Sequence, residues 1–189
     1  MLSALVLAAL VTGPTTLAVD PADVEAAFDL KATLHTVHGT TKRVSGTVEA
    51  TPVEGPVLAL SGRIEIDAAS LETGNSKRDA TMRAKSLQVA TYPKMVLEPE
   101  RFAPSGDPSA DGTVEGTLTG RLTIRGVTRP ATIALALTSR AGGLAASGRF
   151  DVSWADFGIP DPSFLFVTIE PVVHARFHAR FVPRPPGGR

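Results

Sequence analysis

Over most of its length the chain alternates apolar and polar residues, the period of strands that bury one face. Phe28, Leu30, Ala32 and Leu34 fall on one side of a first strand, with Asp29, Lys31 and Thr33 on the other. Residues 20–27 before it read as a linker or a single helical turn, and residues 35–39 after it as a turn. Val44, Gly46, Val48 and Ala50 then alternate with Arg43, Ser45, Thr47 and Glu49. Leu58, Leu60, Gly62, Ile64 and Ile66 mark the next strand, and Met95 and Leu97 a shorter one. Beyond a loop at 102–112 rich in Pro, Gly, Ser and Asp, one long strand carries Val114, Leu118, Leu122 and Ile124, and another Ile133, Leu135 and Leu137. The last two place Leu144, Ala146, Phe150, Val152 and Trp154, then Val173, Ala175, Phe177, Ala179 and Phe181, on their apolar faces. About eight strands in meander order predict an all-β antiparallel barrel. At that strand number the interior is either filled by side chains or holds one small ligand.

The alternation stops between residues 70 and 92 (SLETGNSKRDATMRAKSLQVATY), where a short helical pattern replaces it. Ser76 and Asp79 form a Ser-x-x-Asp start signal, related to the capping box. Ala80, Met82, Ala84 and Leu87 supply an apolar side, and Lys77, Arg78, Arg83 and Lys85 a wet one. Tyr92-Pro93 ends the excursion, because proline disfavours helical geometry in the residue before it. One small helix capping an end of the barrel is the expected arrangement.

Glycines fall in phase with the inward residues at Gly46, Gly62, Gly116, Gly120 and Gly148. They leave room for a ligand, or they permit the bending that a tightly coiled barrel needs; the sequence allows both. The cavity reading places Phe28, Leu34, Val48, Leu60, Met82, Gly116, Leu118, Gly120, Phe150, Trp154 and Phe177 on the wall of a ligand space. Arg78 and Arg83, at the barrel mouth, are candidates to hold a charged head group through charge-assisted hydrogen bonds. Alternatively, Arg78 pairs with Asp79 or Glu72 and only orients the helix.

The run ASLETGNSKRDATMRAKSLQVATYPKM resembles the central signature of the YceI-like family, an Ala-Ser-hydrophobic-x-Thr-x-Asn-x-x-Arg-Asp pattern followed by Tyr-Pro. GRLTIRGVTRPATI resembles its second signature and DFGI a third; with LHTVHGTTKRVSGTV near the front, the similarity spans roughly residues 28–182. Several motifs in the right order are far more specific than any one alone. The resemblance implies an exported, lipocalin-like barrel, in some members holding an isoprenoid or other long lipid chain. KSLQVATYP lacks the paired aromatics often found before Tyr-Pro in the family.

With 189 residues, 43% of them hydrophobic, the chain can bury one sizeable core, and a single barrel domain over residues 22–182 is expected, followed by a disordered tail at 183–189. Nineteen basic and nineteen acidic residues leave no net charge, which argues against nucleic acid as a partner. The absence of cysteine excludes disulfides, thiolate chemistry and a lipidated amino-terminal cysteine. Residues 2–11 (LSALVLAALV) form an apolar run of signal-peptide length, too short to cross a bilayer as a helix. No Lys or Arg precedes it, and a buried amino-terminal element is the alternative. A signal peptide over residues 1–18, a mature end near Val19 and a periplasmic or secreted location are the expectations.

Catalytic constellations are missing from the sequence. His174 and His178 share a strand face but stand ~13 Å apart along it, and His35 and His38 meet only if a turn intervenes, so no metal is expected. There is no Gly-x-Ser-x-Gly elbow. Asp156-Phe157-Gly158 lacks the companion loops of a kinase and reads as a turn after a strand whose Trp154 packs inward. The stripe of His174, Arg176, His178 and Arg180 reads as a wet barrel exterior. The sequence therefore predicts a non-catalytic protein that needs no cofactor and binds an isoprenoid or fatty-acid-like lipid. An enzyme acting on a bound lipid and a structural or stress-related envelope protein with a filled barrel stay open, as does the oligomeric state.

Overall fold

The computed structural model describes residues 13–163 and 166–184. Nine strands follow one another: β1 (Thr15–Ala32), β2 (Thr36–Thr41), β3 (Val44–Pro52), β4 (Leu58–Asp67), β5 (Lys94–Pro104), β6 (Thr113–Ile124), β7 (Val127–Arg140), β8 (Gly143–Ser153) and β9 (Ile169–Pro183). All neighbours are antiparallel, and β1 closes the sheet on β9. β2 pairs with the second half of β1 and β3 with its first four residues, so β2 and β3 make one stave interrupted at Lys42-Arg43. The result is a closed eight-stave barrel.

Period-2 alternation places the inward faces as the sequence predicts, because a slip of one residue would turn every apolar side chain to water. Three differences occur near the amino terminus. Residues 20–27 belong to β1 and are neither linker nor helix. Asp20 to Asp23 bulge between the pairs Val19↔Phe181 and Val24↔Ala179, and this break in alternation masks the strand. The turn lies at residues 33–35, and His38 and Gly39 sit in β2, opposite Asp29 and Phe28. Leu34 is therefore in that turn and 79% exposed, outside the barrel. The apolar run at 2–11 and most of the tail at 183–189 lie outside the described residues. A cut at Val19 would remove Thr15 to Ala18, the four residues that pair with β3.

At two inward glycines backbone packs on backbone. Gly46 and Gly62 have φ of 147° and 122°, and a Cβ on Gly46 would strike the Arg63 carbonyl, as one on Gly62 would strike that of Thr47. Only a residue without a side chain lets β3 and β4 press together there.

The cap between β4 and β5 is a 3-10 turn (Ala68–Ser70), α1 (Ser76–Thr81) and a π turn (Met82–Ser86). The residue that caps α1 is Asn75 and not Ser76: Asn75 Oδ1 accepts from the Arg78 N–H at 3.1 Å. Asn75→Ala is therefore expected to lower stability by about 1 kcal/mol, and Ser76→Ala to change it little. Urea midpoints of the two variants check this, and equal midpoints would move the cap elsewhere.

Side chains on the outer wall pair across strands. Asp29 lies between His38 on β2, with Nδ1 to Oδ1 at 2.6 Å, and Arg176 on β9 at 2.5 Å. His174 meets Asp151 at 2.7 Å. The hydrogen bond from His38 is the main cause holding the Asp29 carboxyl below its usual pKa; partial burial opposes it and the Arg176 charge adds to it. Because the folded pKa is depressed, this contribution to stability is complete above the unfolded value of ~3.9 and disappears as pH falls through the lower folded value. Asp29→Asn should thus destabilise at pH 7 and have less effect near pH 3. An equal midpoint loss at both pH values would mean that ionisation of Asp29 contributes nothing.

Candidate functional site

The barrel encloses a cavity of about 320 Å³. It exists because large and small inward residues are unevenly distributed around the wall. On β5 to β7, Phe102, Leu118, Ile133 and Leu135 pack into a dense cluster, with Phe102 and Ile133 fully buried. On β1 and β9 the inward positions include Ala26, Ala175 and Ala179, too short to reach across. Every member of the cluster formed by Val19, Val24, Val44 and Ala179 faces the cavity. The wall is apolar almost throughout; Ser86 lies at the capped end, and Glu25 and Arg176 are paired opposite His178 and Ala27 on the outer face.

Phe28, Val48, Leu60, Met82, Leu118, Phe150, Trp154 and Phe177 all line this space. Leu34 does not, for the reason given above. Gly116 and Gly120 are also absent from the wall, although both are buried and in phase. A Cβ on Gly116 would lie 2.5 Å from the Ala103 carbonyl and 2.7 Å from the Phe102 ring. One on Gly120 would strike the Glu98 carbonyl beside the β5 bulge. Gly39 and Gly148 make room in the same way for the rings of Phe28 and Phe177. These glycines accommodate aromatic rings and neighbouring backbone, so the space they leave is already filled. The candidate wall leaves out the alanines Ala26, Ala175 and Ala179, whose small size gives no signal until the opposite wall is known, and also larger inward residues such as Val24, Ile64 and Val173.

The motifs quoted above from four separate stretches meet at the capped end. Thr40 and Glu72 exchange backbone hydrogen bonds of 2.9 and 3.0 Å, joining β2 to the start of the cap. Within the cap, buried Asp79 accepts from the N–H and hydroxyl of Thr73 at 3.0 and 2.5 Å, and Arg78 donates to the Thr73 hydroxyl and carbonyl at 2.8 and 2.9 Å. Thr73, Asn75, Arg78 and Asp79 thus lock one turn. Arg78 pairs with neither Asp79 nor Glu72, but it does orient the helix. Tyr92 lies over Gly126, which leaves no room for a Cβ, and Arg125 donates to the Gly158 carbonyl. Arg125 and Gly126 form the tight β6–β7 turn at φ of 50° and 73°. Arg83 donates to the Leu71 carbonyl at 2.9 Å and keeps its buried Nε without a partner among the described residues.

Trp154 sits in a 3-10 turn (Trp154–Phe157); its ring lines the cavity and its Nε1 donates to the Glu170 carbonyl at 2.9 Å. Among the described residues no three His, Cys, Asp or Glu side chains converge as metal ligands. No helix among them is long and apolar enough to cross a membrane.

The profile of the YceI-like domain matches residues 17–181. Burkholderia cenocepacia BcnA superposes with a TM-score of 0.70 at 21% identity, over 86% of this chain and 98% of its own. A polyisoprenoid binding domain from Saccharophagus degradans, implicated in plant cell wall breakdown, gives 0.69 at 14% identity, over 90% and 99%. A YceI protein from Campylobacter jejuni gives 0.59 at 18%, over 80% and 87%. No curated protein matches the chain. At these identities the three structures show a shared barrel, while the domain profile spans nearly every residue that builds it: the chain belongs to the YceI-like family.

Proposed function

We propose that the barrel holds one long apolar chain, an isoprenoid or another lipid, and carries out no chemistry on it. The observation behind this reading is the apolar cavity of about 320 Å³ beneath the cap. Its volume falls in the ~300–1,000 Å³ range of small-molecule sites, and a barrel filled by its own side chains would not leave it. Ten methylenes transferred from water contribute about 8 kcal/mol, enough to offset several kcal/mol of association cost without a precise polar contact. The lack of polar groups converging inside supports binding over catalysis. The Saccharophagus degradans neighbour, described as polyisoprenoid binding, makes an isoprenoid the first ligand to try. For a head group, Arg83 is a better candidate than Arg78: it makes one hydrogen bond, to the Leu71 carbonyl, and keeps its Nε without a partner among the described residues, whereas Arg78 makes two to Thr73.

Titration of delipidated protein with a fluorescent polyene fatty acid tests the reading. Saturation at one probe per chain and displacement by a long isoprenoid alcohol, but not by its short-chain analogue, is the expected result. Non-saturating fluorescence, or equal displacement by both alcohols, would refute it.

Export belongs to the same reading. In this reading cleavage before Thr15 is preferred to cleavage near Val19, since it keeps the four residues of β1 that pair with β3. Intact-mass analysis of protein from its native host should show a chain that starts upstream of Thr15 but lacks residues 2–11. A full-length product would contradict export.

A further inference from the structure

We infer that the capped rim of the barrel is a docking surface for a lipid bilayer, with Leu34 and Phe166 as the side chains that enter it. The inference builds on the lipid-binding reading, since a carrier of a water-insoluble chain must meet the membrane that supplies or receives it. Leu34 is 79% and Phe166 93% exposed, the two most exposed of the large hydrophobic side chains among the described residues. They lie on different connections, β1–β2 and β8–β9, at one end of the barrel. Those connections are tied together: the Thr33 N–H donates to the Thr168 carbonyl at 3.0 Å, and the Thr168 N–H to the Thr33 hydroxyl at 3.0 Å. Thus the two apolar side chains sit on one braced rim. The connection that carries Phe166 begins with Trp154 and Ile159, both on the cavity wall, so the rim is continuous with the ligand space.

Charge selects the bilayer's sign. The chain as a whole is neutral, but its two ends differ. Connections at the capped rim (residues 31–36, 67–94, 124–129, 154–163 and 166–170) carry eight basic side chains, of which Lys94 is paired with Glu65, against six acidic ones, and those at the opposite rim (13–16, 52–58, 104–113, 140–143 and 183–184) carry two against three. This small positive excess favours an anionic surface over a neutral one at the capped rim. Each basic side chain near such a surface adds modestly to binding, and insertion of apolar side chains supplies the remainder.

The test is sedimentation with vesicles of phosphatidylcholine alone and of phosphatidylcholine mixed with phosphatidylglycerol. The proteins compared are the parent and the Leu34→Ser/Phe166→Ser double variant. Both side chains are in water, so the variant should keep the parent's thermal midpoint. The parent should partition onto the mixed vesicles more than onto the neutral ones, and the double variant roughly tenfold less than the parent. A parent that stays in solution with both vesicle types, or a variant that sediments as the parent does, would overturn the surface. Uptake of the polyene probe from a detergent-dispersed stock, with no bilayer present, is measured in parallel. Probe uptake by both proteins together with lost sedimentation of the variant supports the surface. If neither protein takes up probe while the sedimentation difference stands, the surface is supported and the lipid-chain reading falls alone.

Discussion

Ala175→Phe should empty the barrel of lipid and leave its stability unchanged or slightly higher. Ala175 points inward on β9 between its register partners Phe28 and Phe150, and all three line the cavity. A phenyl ring there extends toward the cavity that Ala175 lines. Filling a cavity commonly adds roughly 0.5–2 kcal/mol of stability, while the same ring removes the space that a bound chain needs. Lipid content per chain should fall at least about tenfold, a loss of roughly 1.4 kcal/mol or more in binding. A fall in thermal midpoint with unchanged lipid content would mean that the β1–β9 side is packed and the ligand space lies elsewhere.

Gly116→Leu should have the opposite effect. Its first added atom meets the Ala103 carbonyl and the Phe102 ring, and Phe102 is fully buried in the dense side of the core. Overpacking ordinarily costs about 1–3 kcal/mol, and contact with a backbone atom puts this case at the upper end. At roughly 2–4 °C per kcal/mol for a chain of this size, the midpoint should drop by about 6–12 °C. A double-mutant cycle isolates the cause. Gly116→Ala and Phe102→Leu should each destabilise alone, and the pair together by less than their sum, because the smaller side chain relieves the clash. Strict additivity would remove the ring from the explanation.

These two substitutions separate what alternation reveals from what it hides. Period 2 assigns a residue to the inside of the barrel, and it does so well for β6 to β9. Whether that inside position faces a void or a neighbour depends on side chains on other strands, which one strand's pattern does not contain. Gly116 and Ala175 look alike in sequence, both small and in phase; one abuts the Phe102 ring and the other faces open space. Leu34 failed for a different reason, since alternation carries past the end of a strand into its turn. The bulge at Asp20 to Asp23 hid half of β1 by breaking the period. The motifs behind the family resemblance were legible for a physical reason too. Thr73, Asn75, Arg78 and Asp79, Tyr92 over Gly126, and Arg125 on Gly158 hold the capped end together by specific hydrogen bonds and close contacts, which tolerate few other residues. The apolar cavity wall accepts many residue combinations of similar volume, so the site itself leaves a fainter mark than its lid.

Native mass spectrometry of the protein purified without detergent from its native host, followed by solvent extraction, tests the central claim most directly. The predicted result is a chain carrying a mass excess of one lipid molecule, removed by organic solvent and recovered chemically unchanged, and lost in Ala175→Phe. A bare chain that also fails to take up a long isoprenoid alcohol added afterwards would contradict it.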